Sequence, residues 1–517
     1  MGNSLAKPRW SNLYLPRDIA MDIARERMSA LAGAYSGASR SRREISEWTV
    51  SGGDADADLL WDLPVLRERS RDLERNNPLA AGAFNTKVTS IVGAGIVPQS
   101  QIDFDLLGLS KEESKLKEQE IEREFWLHAG SREFDAGRRL SFLRMQDVAL
   151  RSHFVNGDSF AVRSFFARPG SPYATKWQLL EADQVCNKDN VRDTRELSAG
   201  VKRDVDTGAP NAYQIKTVHP GSDSGYSSTW REIPAFDSDG RPNVLHIMRM
   251  TRIGQTRGVP DLAPVIEAFK QLGRYTEAEL MAAVVSGMFT VFVKSESGDA
   301  SLEEMLDSGE APSKNNELRL GNGAIVGLAS NESIDTANPG RPNESFDPFI
   351  QSILRQIGVA LELPFEIVIK HFTSSFAASR AALLEAWRYF MARRAWLSEI
   401  FCQPIYEALL EEAVARGRIV APGFLEDPAI RRAYCRAAWV GPAQGQIDPT
   451  KETNAAEKRL ALRISTRQEE CAALTGGDWD AKINQIQYEE SILREIGPLT
   501  EATEATAEPE DEDEDDN

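Results

Sequence analysis

Two helical patterns bracket a short β-rich segment, and this arrangement constrains the fold more than any other feature of the chain. In DLAPVIEAFKQLGRYTEAELMAAVVSG (261–287), Leu262, Val265, Ile266, Phe269 and Leu272 recur on one helix face. Pro264 falls in the first turn, where a missing N–H costs little. At about 1.5 Å per residue this pattern makes a rod of roughly 35–40 Å. A second pattern, FDPFIQSILRQIGVALELP, follows at 346–364, and the residues between carry only short strand and loop signals such as ELRLGNGAIVGL.

The flanking sequence supplies the body around this pair. Residues 1–62 are rich in Ser, Gly, Arg and Asp, and only RDIAMDIARERMSALAGAY suggests a helix, so they read as a loosely held arm. From Leu63 the spacing of Leu66, Leu73, Leu79 and Phe84 is helical, broken at Asn76-Asn77-Pro78. KEESKLKEQEIEREFWLHAG (111–130) predicts a second helix with charged faces. FLRMQDVALRSHFVNGDSFAVRSFF predicts a helix, a turn at Asn156-Gly157-Asp158 and a strand. Strand signals continue through KWQLLEAD, GAPNAYQIKTV and NVLHIMRM, so 63–260 reads as one α+β domain.

Beyond the second rod comes HFTSSFAASRAALLEAW (371–387), opening a long helical pattern from Ala377 to Arg416. Pro404 interrupts it and predicts a kink near Ile400. Three helices close the ordered chain. Asp448-Pro449 starts one over 449–463, Thr466 with Glu469 forms a capping box for a short second, ended at Gly476-Gly477, and 478–496 makes the third.

Charge and cysteine usage exclude several classes. The net charge is −19, and the last seventeen residues, EATEATAEPEDEDEDDN, carry ten acids and no base. Such a block cannot bury enough apolar surface to offset its ordering entropy, so 501–517 reads as a disordered tail. The four cysteines form no CxxC, and MGNSLAKPRW has no apolar signal region, which argues against secretion and a disulfide framework. The apolar run MAAVVSGMFTVFV is too short to span a bilayer. A cytosolic setting is expected, with no membrane partner.

Catalytic signatures are missing. There is no Walker motif, no HExxH and no GxSxG, and Gly321-Asn322-Gly323 reads as a hairpin rather than a phosphate cradle. His371 beside Ser374 and Ser375 invites a hydrolase reading, but sequence neighbours seldom adopt nucleophile–base–acid geometry. No cofactor or metal is expected. A protein that grips duplex DNA normally shows a basic patch, and this chain is acidic even without its tail. An acidic protein can still surround DNA that must slide, because each cation holding a phosphate adds a barrier to movement.

Six stretches carry a family pattern in order: RDLERNNPLAAGAFNTKVTSIVGAGI (71–96), FDAGRRLSFLRMQDVALRSHFVNGDSF (134–160), LLEADQV (179–185), RMTRIGQTRGVPDLAPVIEAF (249–269), SSFAASRAALLEAWRYF (374–390) and IDPTKETNAAEKRLALRISTRQEE (447–470). Together they resemble the lambda-type portal proteins of tailed bacteriophages. The resemblance departs at Phe376 and Ala377, where many relatives read closer to NYSSxR.

The resemblance implies an α+β portal subunit that assembles into a twelve-membered ring at one capsid vertex, in the virion, after assembly in the host cytoplasm. Its parts would be an arm (1–62), a wing (63–260), a stem helix (261–287), a clip (288–345), a second stem helix (346–364), a channel loop (365–378), a long kinked helix completing the wing (379–447), a crown (448–500) and the tail (501–517). The implied partners are double-stranded DNA in transit, further copies of the chain, the terminase large subunit, the major capsid or scaffold protein and a head-completion or connector protein. Lys370, His371, Thr373, Ser374 and Ser375 would then face the DNA from the loop. Lys270 and Arg274, four apart on one helix face, are candidates either to line the channel or to make salt bridges between subunits. Two other readings are a capsid-associated serine hydrolase and a head adaptor that binds proteins but never DNA.

Overall fold

Asn77 ends one helix and begins the next. Its extended backbone terminates α1 (Leu63–Asn76), while its side chain accepts N–H bonds from Leu79 and Ala80 at the start of α2 (Pro78–Ile91). The computed structural model describes residues 38, 43–50, 52–222, 229–287, 291–295, 332–336, 345–372, 375–445 and 448–496. The chain divides into two units, Met1–Asp58 and Leu59–Asn517. In the first, the described residues include a turn over 43–47. The arm helix expected at 17–35, the glycine hairpin of the insertion and the acidic tail lie outside the described residues.

The second unit is mixed α and β. After β1 (Val97–Ser100), Ser110 and Glu113 form a capping box that opens α3 (Lys111–Ala129), and α4 (Phe142–Asn156) ends at Gly157 with φ 89°. The expected turn at 156–158 is present and delivers β2 (Asp158–Phe165). Then follow β3 (Thr175–Glu181), β4 (Leu197–Ser198), β5 (Val201–Arg203), β6 (Pro210–Lys216), β7 (Trp230–Pro234) and β8 (Val244–Met248). The three-stranded antiparallel sheet has order β3-β2-β8, with Phe160 opposite Leu180 and His246. The four-stranded sheet is the meander β4-β5-β6-β7. A small core between these sheets includes Phe160, Leu180, Val201, Tyr213 and Ile215.

The rod predicted at 261–287 starts later than its periodicity suggests. Pro264 holds a single 3-10 turn, Ala263–Val265, and α5 runs from Ile266 to Gly287. Of the β-rich insertion, β9 (Val291–Ser295) and β10 (Glu332–Thr336) pair antiparallel. The second rod, α6 (Phe346–Ala360), is shorter than the 346–364 pattern. Glu362 takes a left-handed conformation, and a separate helix α7 (Phe365–Ile369) occupies the first part of the segment read as a loop. Pro364 explains the break, since it can start a helix but cannot continue one.

The long helix has the expected interruption. It consists of α8 (Phe376–Leu397), a π-helical turn at Ser398–Cys402 and α9 (Gln403–Ala415). Pro404 offers no N–H to the carbonyl of Ile400, and the wider turn absorbs the missing bond. After α10 (Pro428–Tyr434), β11 (Ala437–Val440) returns to pair with β1, with Val97 opposite Val440. The chain finishes with α11 (Pro449–Ala461), α12 (Arg467–Thr475) and α13 (Trp479–Ile496), and Thr466 and Glu469 make the predicted capping box.

One apolar core joins α2, α3 and α4 to the bases of α5 and α6 and to α8 and α9. Phe84, Phe125, Phe142 and Phe154 are fully buried in it, with Phe269, Ile357, Phe401 and Tyr406. The two rods are therefore rooted in the same core as the helix that follows the loop.

Candidate functional site

The segment from Lys370 to Ser375 is strung between two anchored helices. On its near side Ile367 and Val368 of α7 are buried, and Leu363 packs so closely on α6 that a Cβ at Gly358 would lie 2.7 Å from the Leu363 carbonyl oxygen. Lys370 caps α7 in the left-handed region, with φ 55°, and donates its N–H to Glu366. The His371 N–H reaches the same carbonyl at 3.1 Å. This doubled cap turns the chain outward, and Lys370, His371 and Phe372 are all exposed.

On the far side Ser375 is the N-cap of α8, accepting the Ala378 N–H at 3.4 Å. Thr373 and Ser374 lie outside the described residues. The helix beyond is tied down by Arg394, which donates to the carbonyls of Ile91 and Ser90 at 2.9 and 3.1 Å. Arg380, in the second turn of α8, is half-buried and lines a cavity of about 430 Å³ together with Leu383, Leu384, Lys451 and Arg459.

His371 has no acid partner among the described residues, and the Ser375 hydroxyl is engaged as a cap. That is not the geometry of an activated nucleophile. Among the described residues no group of three His, Cys, Asp or Glu is placed to hold a metal, and no helix is long and apolar enough to cross a membrane. Lys270 and Arg274 are both exposed on α5, remote in sequence from the loop, and neither makes an ion pair within the subunit among those residues.

A buried charge centre that no local pattern of the sequence marks joins α1, β2 and β8 to the segment that leads into α5. Asp158 accepts from Arg257 Nε at 2.6 Å, from Arg67 at 2.9 Å and from His246 at 3.2 Å. Burial alone would raise its carboxyl, but Arg257 and Arg67 hold it well below the usual carboxylate range. Arg257 also donates to the carbonyls of Ala182, Val185 and Ala199. Four residues further on, Asp261 accepts from buried Lys87 at 2.7 Å, and the Lys87 ammonium lies over the rings of Phe154 and Tyr389. The stretches RERSRDLER, HFVNGDS, LLEADQV and RGVPD therefore meet in space. The available signal was that they are polar motifs flanked by apolar sequence, but their partners lie up to 116 residues apart.

Comparison with known proteins adds three findings. A family model described as phage portal protein, lambda family, matches residues 41–394. The portal protein of Escherichia phage N15 is 28% identical over 495 residues, covering 90% of this chain and 91% of that one. Portal protein B of Escherichia phage lambda is 26% identical over 500 residues, again covering 90% and 91%. Among solved structures, a chain in the neck of a native GTA particle computed with C12 symmetry aligns over 80% of this chain and 93% of its own, at 10% identity and a TM-score of 0.46.

Proposed function

This chain belongs to the lambda family of phage portal proteins, and we propose that twelve copies close into a ring at one capsid vertex through which genomic DNA enters and later leaves. The observation that carries the loop's role is that Lys370, His371, Phe372 and Ser375 are exposed between helices rooted in the main core. The loop offers a cation, an imidazole and hydroxyls on a short tether. Such groups make brief contacts with passing phosphates and few lasting ones, which suits a conduit better than a clamp. Thr373 and Ser374 join Lys370, His371 and Ser375 in this assignment.

In this reading 63–260 with 379–447 forms the wing, the two rods form the stem, 288–345 is the clip that meets the terminase large subunit and then a connector protein, and 448–500 is the crown. The wing's outer surface meets the major capsid or scaffold protein. The chain works as a structural channel in the virion, without catalysis and without a cofactor. The net charge of −19 favours a duplex that passes without sticking.

The test combines imaging of the purified protein with a packaging assay. Rings with a central hole and a mass of twelve chains support the reading, and a stable monomer under assembly conditions overturns it. In rings of normal mass, replacing Lys370 and His371 by alanine should alter the amount or rate of DNA packaged. A serine-reactive probe labelling 371–378 would favour the hydrolase instead. Packaging insensitive to changes in 370–378, with partner binding lost on changes in 288–345, would favour the adaptor.

A further inference from the structure

The two stem helices are matched in height by one aromatic contact. The Tyr275 ring stacks on Phe346 with centroids 5.7 Å apart and meets Phe349 edge-on at 4.9 Å. The turn Ala263–Val265 before α5 also touches α6. The helices therefore run antiparallel, with Arg274 level with the first turn of α6. At about 1.5 Å per residue on both helices, Gln271 then lies level with Gln351, and Glu267 with Arg355.

Each helix carries a polar ladder that does not reach the other within the subunit. On α5, Gln271 donates to Glu267 at 2.9 Å, and Arg274 follows on the same face. On α6, Gln351 donates to Asp347 at 2.6 Å, and Arg355 donates to Gln351 at 3.0 Å. Read at matched heights, the order is acid, amide, base on α5 and base, amide, acid on α6. Glu267, Arg274, Asp347 and Arg355 are exposed, and none of them forms an ion pair inside the subunit among the described residues. The Arg355 guanidinium lies over the Phe365 ring at 5.0 Å, which leaves its N–H edge available.

We propose that the two ladders meet across the seam between neighbouring copies, with Arg274 pairing to Asp347 and Glu267 to Arg355 of the adjacent subunit. This rests on the ring reading, with the stem lying along the ring axis. Rotation about that axis preserves height, so a residue on α5 meets the α6 residues of the next copy at its own level. The surface is heterologous, as a closed ring requires: one face of the pair meets a different face of the next. Lys270 adds positive charge beside Arg274. Further along the same side of α5, Met281 and Val284 are 58% and 48% exposed. Large apolar groups on this face fit a packed seam and not a surface lining a DNA channel.

The test is a charge swap on the full chain, with ring formation followed by native mass spectrometry and folding by circular dichroism. Arg274→Asp and Asp347→Arg should each raise the concentration needed for half-assembly about tenfold or more, and the double variant should restore it to within about threefold of wild type. Glu267→Arg and Arg355→Glu should behave as a second, independent pair. Folded single variants that assemble like wild type would overturn the seam, as would a double variant no better than the singles. Normal rings that fail only in DNA packaging would place these cations on the channel surface and also overturn it. If the wild-type chain itself formed no rings, the ring reading would fail before the seam was reached.

Discussion

Arg257 and Asp158 are ninety-nine residues apart in sequence, yet the guanidinium Nε lies 2.6 Å from the carboxylate, with both side chains essentially without solvent contact. This bond fastens the strand that follows α4 to the segment that leads into α5. Breaking one partner leaves the other charge buried and unpaired. Arg257→Met should therefore destabilise the folded subunit by about 3–5 kcal/mol, measured by urea denaturation of assembly-incompetent protein. Asp158→Asn should cost a comparable amount, and a change under about 1 kcal/mol in either would show that the centre is dispensable.

Beside that pair the backbones of Gly157 and Gly258 touch. A Cβ on Gly258 would sit 1.9 Å from the Gly157 carbonyl oxygen, and one on Gly157 would sit 2.3 Å from the Gly258 oxygen. Neither obstacle is a side chain that can swing away. Gly258→Ala is expected to cost about 2–4 kcal/mol, while Gly273→Ala on the open side of α5, where nothing lies within 4 Å, should be neutral or slightly stabilising. Equal melting temperatures for the two variants would contradict this.

Two buried histidines set the acid side of stability. Burial pushes His128 and His153 down to about 4, and each ring nitrogen that is bonded meets a backbone carbonyl, Thr175 and Gly157 respectively, at 2.8 Å. A histidine whose folded pKa lies below its unfolded value favours the native state above about pH 6.5 and withdraws that support as pH falls toward 4. Each should contribute about 3 kcal/mol of acid destabilisation when fully titrated. Replacing His128 by Gln should flatten the stability profile between pH 6.5 and 4, and an unchanged slope would refute the assignment.

A carboxylate acts in the opposite direction where α3 faces α13. Glu122 accepts the Ser100 N–H at 2.7 Å, and burial, followed by the nearby Asp478, Glu118 and Asp480 carboxylates, pushes it up to about 7. Its folded pKa is raised, so its stabilising effect is complete at acid pH and is lost as pH rises through about 7. Hydrogen exchange in 449–496 should therefore quicken from about pH 4.5 to pH 7 beyond the intrinsic rate change. Glu122→Gln should remove that excess, and its persistence in the variant would rule Glu122 out as the source.

The local elements were legible because they depend on neighbours in the chain. Asn77-Pro78, Gly157, Thr466 with Glu469 and Pro404 each act within a few residues through a cap, a positive φ or a missing N–H. The same holds for the bracketed rods, whose apolar periodicity survives inspection of the sequence alone. Boundaries slipped where local chemistry was finer than the periodicity, as at Pro264 and at Glu362 to Pro364.

What only the tertiary structure decided is which distant residues share a charge, a height or a face. Asp158 reads as one more turn acid until Arg67, Arg257 and His246 surround it, and the height of Lys270 and Arg274 against α6 is unreadable until Tyr275 stacks on Phe346. Periodicity follows from the bonded chain, whereas ion pairing and register depend on closing loops of about seventy residues and more. The information for those contacts is spread across the sequence and becomes readable only after the core has brought its parts together.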